Sequence, residues 1–271
     1  MIEFFSPLFF YAIATGLCAG IVAGLFGVGG GIIIVPALLF LFHLMDFPSP
    51  MVMQMAVGTS LATIIFTNTV ATWNQHRRQS VNWSAVAQYT PGILMGAWLG
   101  AWLAIRLDGG LLQMVFGLFE IGIGLRMISS RKTAETPQQA RTVHPLVTPW
   151  VGVLIGAISA LFGIGGGTLS VPALTLISRL PIHLAVGSSS AIGIFLAISG
   201  AFGFLQGGWS QINLPAGSWG YIIPEAFFGI VTGTLITTSI GVKLAHSLSP
   251  ILLKKSFGFF LLVVGVRLMM G

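Results

Sequence analysis

The chain has 271 residues, of which 55% are apolar and 7% charged, with 20 phenylalanines and a formal net charge of +6; its mean hydropathy is +0.95. A soluble domain carries roughly 25% charged residues, so these few charges exclude a soluble enzyme, a secreted disulfide scaffold and a disordered chain. A lone cysteine, Cys18, excludes intrachain disulfides and cysteine-based metal sites. What remains is an all-α polytopic membrane protein, with about eight to ten membrane segments at about 20 residues per span.

The first apolar block covers about residues 5–43 and is interrupted at Gly27-Val28-Gly29-Gly30-Gly31. The start of the chain lacks the positive stretch of a signal peptide, so this block is read as a retained membrane segment. Block two covers about 51–73, block three 84–105 and block four 109–128. Residues 129–146, with Arg131, Lys132, Glu135, Pro137, Arg141 and Pro145, form the one long polar stretch and read as a linker. The series then recurs over 147–178, 183–205, 221–242 and 250–269, and the new first block is broken at Gly163-Ile164-Gly165-Gly166-Gly167.

The recurrence is a repeat. Gly24-Leu25-Phe26-Gly27 through Val35-Pro36-Ala37-Leu38 returns as Ala160-Leu161-Phe162-Gly163 through Val171-Pro172-Ala173-Leu174. Gly58-Thr59-Ser60 returns as Gly187-Ser188-Ser189. Gly96 and Gly100 match Gly229 and Gly233, and Gly117, Gly124 and Arg126 match Gly258, Gly265 and Arg267. The expected organisation is a first membrane repeat over 1–128, a cytoplasmic linker over 129–146 and a second membrane repeat over 147–271.

Lys and Arg set the orientation, because basic residues concentrate in cytoplasmic loops. If each broken block is a hairpin returning to its own side, the halves are inverted. Arg77, Arg78, Arg126, Arg131, Lys132, Arg141, Arg179, Lys243, Lys254 and Lys255 then share one face with the linker, leaving Arg106 and Arg267 opposite. If the block crosses once, the best division is seven against five. The hairpin arrangement is expected, in the bacterial inner membrane, with both termini in the periplasm. Scattered singly or in pairs, these charges do not form a nucleic-acid-binding stripe.

Glycine costs about 1 kcal/mol relative to alanine inside a helix, so each run predicts a break in mid-block. Irregular backbone at that depth is tolerated where protein or a water-filled cavity satisfies it. A short apolar half-helix follows each run, over about 31–42 and 167–178. Its free N–H groups and positive dipole end suit an anion. Paired interrupted segments in two halves point to a transporter's binding site. The alternative is that the glycines only let helices pack closely, which is also the reading of the four-residue pairs Gly16/Gly20, Gly96/Gly100, Gly152/Gly156 and Gly229/Gly233.

The expected substrate-binding residues are therefore Gly29, Gly30 and Gly31 from one half and Gly165, Gly166 and Gly167 from the other. Hydroxyls of Thr59, Ser60, Ser188 and Ser189 would complete the shell, with Asn68 lining it. Each hydroxyl has the alternative of bonding its own helix. Glu120, the one acidic residue in the middle of a block, is a candidate proton carrier, with a structural carboxyl as the alternative. No catalytic constellation, metal-ligand spacing or nucleotide motif occurs. The expectation is no enzyme, no cofactor and no metal.

The two glycine runs with their Val-Pro-Ala-Leu sequels, together with Gly58-Thr59-Ser60 and Gly187-Ser188-Ser189, resemble the TauE/SafE family of sulfite-type anion exporters over nearly the whole chain. The resemblance implies a secondary transporter, in a lipid bilayer, for a small inorganic or organosulfur anion such as sulfite, thiosulfate or sulfoacetate, usually outward. The residues leave open an importer of another small anion, a non-transporting membrane scaffold, and assembly as a homo-oligomer.

Overall fold

A computed structural model describes residues 7–26, 30–47, 49–129, 147–209, 211–244 and 250–270. Ten α-helices occupy them: α1 (Pro7–Phe26), α2 (Gly31–Leu44), α3 (Val52–Arg77), α4 (Trp83–Ala104), α5 (Gly109–Ser129), α6 (Val147–Leu161), α7 (Gly167–Leu176), α8 (Ile182–Gly208), α9 (Pro224–Leu244) and α10 (Pro250–Met270). The all-α polytopic expectation holds. Four of the helices are by themselves long and apolar enough to cross a membrane. α3 and α8 run a turn or so past the apolar blocks read from sequence, ending in Asn74–Arg77 and Gln206–Gly208.

Packing follows the repeat. α1 lies on α9 and α4 on α6, while α3 pairs with α8 and α5 with α10. Exchanging each helix for its counterpart in the other half returns the same four pairs, which is the contact pattern of a pseudo-twofold. The pairs differ in direction. Gly16 faces Ile230, and Gly20 faces Thr234 and Thr237, so α1 and α9 are parallel. Gly92, Gly96 and Gly100 face Pro149, Val153 and Ala157 in order, so α4 and α6 are parallel. By contrast, Gly187 faces Gln75, Gly193 faces Asn68 and Gly200 faces Leu61, which makes α3 and α8 antiparallel. Gly117 against Gly265 and Gly124 against Gly258 make α5 and α10 antiparallel as well.

The four-residue glycine pairs are close-packing devices. A Cβ at Gly152 would lie 2.6 Å from the carbonyl oxygen of Tyr89, and one at Gly96 would meet the carbonyl of Val153. Small residues are what let backbones touch where lipid supplies no hydrophobic drive between helices. Gly96→Leu is expected to separate α4 from α6, and the variant should give little monodisperse protein in detergent, whereas Leu94→Ala on an exposed face of the same helix should behave as the parent.

α2 is antiparallel to α3, with Gly31 against Ile64, and Val35 and Val57 both against Gly163. α3 in turn runs with α9, as Thr59 meets Ile223 and Asn74 meets Ser239. α1 and α3 therefore point the same way, and α2 carries the chain back between them. Exposed tryptophans gather at both ends of the bundle, Trp73, Trp83 and Trp150 at one and Trp102, Trp209 and Trp219 at the other. That distribution matches the two interfacial belts of a membrane protein.

Candidate functional site

Both breaks sit against the middles of α3 and α8. Gly30 and Gly166, the residues that cap α2 and α7, have φ of 79° and 74°. Such left-handed backbone is open to glycine and strained for a side chain with a Cβ. Each cap carbonyl receives the first helical bonds, Ile33 and Ile34 donating to Gly30 and Leu169 and Ser170 to Gly166. The N–H groups of the residues before these donors, Gly31–Ile32 and Gly167–Thr168, have no intrahelical acceptor by helix geometry. The two breaks also touch each other, because a Cβ on Gly31 would collide with the carbonyl oxygen of Gly163.

Of the residues expected from sequence, Gly30, Gly31, Gly165, Gly166 and Gly167 lie at the breaks and are buried. Gly29 lies outside the described residues. Ser60 is fully buried, and its hydroxyl donates to the carbonyl of Gly163 at 2.9 Å, tying α3 to the second break. The Asn68 amide donates to the carbonyl of Gly165 at 3.5 Å.

The remaining hydroxyls are not brought to the same place. Thr59 Oγ1 accepts from the backbone N–H of Ile223 at 3.0 Å, just before α9. Ser188 Oγ accepts from the backbone N–H of Asn82 at 2.8 Å, just before α4. These equivalent anchors hold equivalent helix starts. Because α3 and α8 are antiparallel, Thr59 and Ser188 lie toward opposite ends of the bundle. Fifteen helical residues at about 1.5 Å each separate their levels by about 20 Å. One small anion cannot touch both. Ser189 is buried, and its hydroxyl donates to the carbonyl of Val186 at 2.8 Å within its own helix.

Sequence reading passed over Thr168 and Ser170. Thr72 Oγ1, Thr168 Oγ1 and Ser170 Oγ are buried and lack a hydrogen-bond partner, as do Asn68 Oδ1 and both carboxyl oxygens of Glu120. Buried polar atoms in folded proteins are nearly always bonded, to protein or to ordered water. The available signal was the repeat itself, since Thr168 and Ser170 stand where the first half has Ile32 and Ile34. Among the described residues no three His, Cys, Asp or Glu side chains group as metal ligands.

The sequence model of a family described as "Sulfite exporter TauE/SafE" matches residues 12–268. A probable membrane transporter protein of Haemophilus influenzae is 35% identical over 94% of this chain and 95% of its own length. A probable membrane transporter protein of Methanocaldococcus jannaschii is 27% identical over 95% of this chain. The probable inner membrane transporter protein TsaS of Comamonas testosteroni is 24% identical over 70% of this chain and 73% of its own length. No solved structure matches.

Proposed function

Because this chain belongs to the TauE/SafE family of membrane transporters, we propose that it exports a small sulfur-containing oxyanion across the bacterial inner membrane, binding it at a glycine-broken helix start between α3 and α8. The observation that carries the reading is a mid-bundle helix start capped by the left-handed Gly166, beside buried polar atoms with no partner. Backbone N–H groups at a helix start hold an oxyanion without a fixed positive charge, which keeps binding weak enough for release. Moving one negative charge outward against an inside-negative potential of 100 mV gains about 2.3 kcal/mol. Export can therefore run on the potential alone, and Glu120 is the carboxyl through which a proton would be coupled. Cells overproducing the chain and loaded with sulfite should release it faster than control cells. Equal release from both would count against export of this anion.

The antiparallel contacts of α3 with α8 and α5 with α10 favour inverted halves, since a two-fold that reverses spanning helices lies in the membrane plane. Combined with the basic residues on the linker's side, this supports a cytoplasmic linker over 129–146 and periplasmic termini. Thr136→Cys, in a Cys18→Ser background, should resist membrane-impermeant thiol reagents in intact cells and react after lysis. Labelling in intact cells would reverse the orientation.

A further inference from the structure

We infer that the two glycine breaks are unequal, and that the second alone forms the anion site while the first is an apolar seam. This rests on the transport reading above and narrows where the anion sits. Among the described residues, seven carry buried side-chain atoms with no partner. One, Gln54, is anchored through its other amide atom to the carbonyl of Leu107. The other six are Asn68, Thr72, Glu120, Ser159, Thr168 and Ser170. Their counterparts by the repeat are Ala197, Ala201, Leu261, Ala23, Ile32 and Ile34, every one apolar.

The six belong to the surroundings of one break, Ser159 near the end of α6 through its carbonyl, which accepts from the backbone N–H of Ile164 at 2.9 Å. Asn68 donates to Gly165, and a Cβ on Gly193 would meet both the Asn68 amide and the Gly165 carbonyl. Thr72 follows Asn68 by four residues, so it shares its face of α3. Ser170 Oγ lies 3.5 Å from where a Cβ on Gly166 would stand. Phe162, which leads into the second break, sets its ring at a tilt 5.8 Å from that of Phe116 and 4.8 Å from that of Phe119, which brings the buried Glu120 turn of α5 to that break. Ile32, Phe257 and Leu261 form one buried cluster at the first break. The pseudo-twofold turns that cluster into Thr168, Phe116 and Glu120.

The chemistry of the two places differs accordingly. Around the second break, hydroxyls, an amide oxygen and a carboxyl surround the start of α7 with their hydrogen-bonding capacity unspent. Around the first, a Cβ on Gly30 would stand 3.4 Å from the side chains of Ala23 and Ile34 and 3.2 Å from the carbonyl oxygen of Ala19, so the side chains there are apolar. An anion moved from water into that apolar shell would lose its hydration and gain few partners.

Binding of sulfite and of thiosulfate to the purified chain in detergent tests this, with melting temperature reporting whether each variant is folded. Thr168→Val and Ser170→Ala together keep shape and remove two hydroxyls, and Gly166→Ala puts a methyl into the site. Each is expected to weaken binding at least tenfold. Gly30→Ala imposes the same left-handed strain at the first break, and its melting temperature should fall while its affinity stays within twofold of the parent. Equal losses of affinity from Gly30→Ala and Gly166→Ala would overturn the one-sided site. So would parental affinity in Thr168→Val/Ser170→Ala. A parent protein that binds neither anion would instead overturn the sulfur-oxyanion reading, and the one-sided site with it.

Discussion

Gly166→Val is expected to leave a protein that assembles in the membrane but binds the anion at least a hundredfold more weakly. Gly166 holds a φ of 74°, and a non-glycine residue there costs about 1–2 kcal/mol. That strain lowers stability. The loss of binding has a separate cause. A Cβ at this position would lie 3.2 Å from Leu196 Cδ1 and 3.5 Å from Ser170 Oγ, and the two methyls of valine extend beyond it into the space before the first turn of α7. The backbone N–H groups of Gly167 and Thr168 would then be covered. Equilibrium binding to folded protein separates the two effects. Parental affinity in Gly166→Val would mean that the second glycine run is a packing device like Gly96 and Gly152.

The second large effect concerns Glu120. It is fully buried, its carboxyl oxygens have no partner, and an unpaired charge at bilayer depth is costly. Among the described residues, no titratable side chain stands level with it on the neighbouring elements. On antiparallel α10, Arg267 and Lys255 lie more than a turn to either side of its level, Arg267 stacking over Phe40 and Lys255 exposed. On α3 the first such residue is His76 near the far end, and α6 and α7 carry none. Glu120→Gln keeps size and polarity but cannot exchange a proton. Flux driven by a pH gradient should fall to the level without a gradient, while flux driven by an electrical potential persists. A folded Glu120→Gln variant with unchanged pH-gradient dependence would remove this carboxyl from the mechanism and leave it a structural role.

Much of this was legible in the residues. A run of glycines in an apolar block breaks a helix wherever it occurs, so Gly30 and Gly166 marked the two breaks without knowledge of any neighbour. The helix pairs were not legible. Apolar residues surround each membrane helix on all sides, so nothing in α1 names α9 as its partner until their backbones are seen to touch at Gly16, Gly20 and Gly233. The hydroxyls were misgrouped for a geometric reason. Equivalent residues in antiparallel helices converge only near the pseudo-twofold, where Ile64 and Gly193 lie. Thr59 and Ser188 occupy matching positions away from it and so diverge toward opposite ends. The polar side of the second break was written in the repeat as Thr168 for Ile32 and Ser170 for Ile34. These are positions at which the two halves differ.

If the chain itself moves a small sulfur oxyanion, it needs no other protein to do so. Purified protein in liposomes loaded with radiolabelled sulfite, with an inside-negative potassium diffusion potential imposed by valinomycin, tests it most directly. Each 100 mV supplies about 2.3 kcal/mol per charge, so efflux should saturate with internal sulfite, accelerate with the potential and disappear in Gly166→Val. Efflux no faster than from protein-free liposomes at every potential would contradict the account.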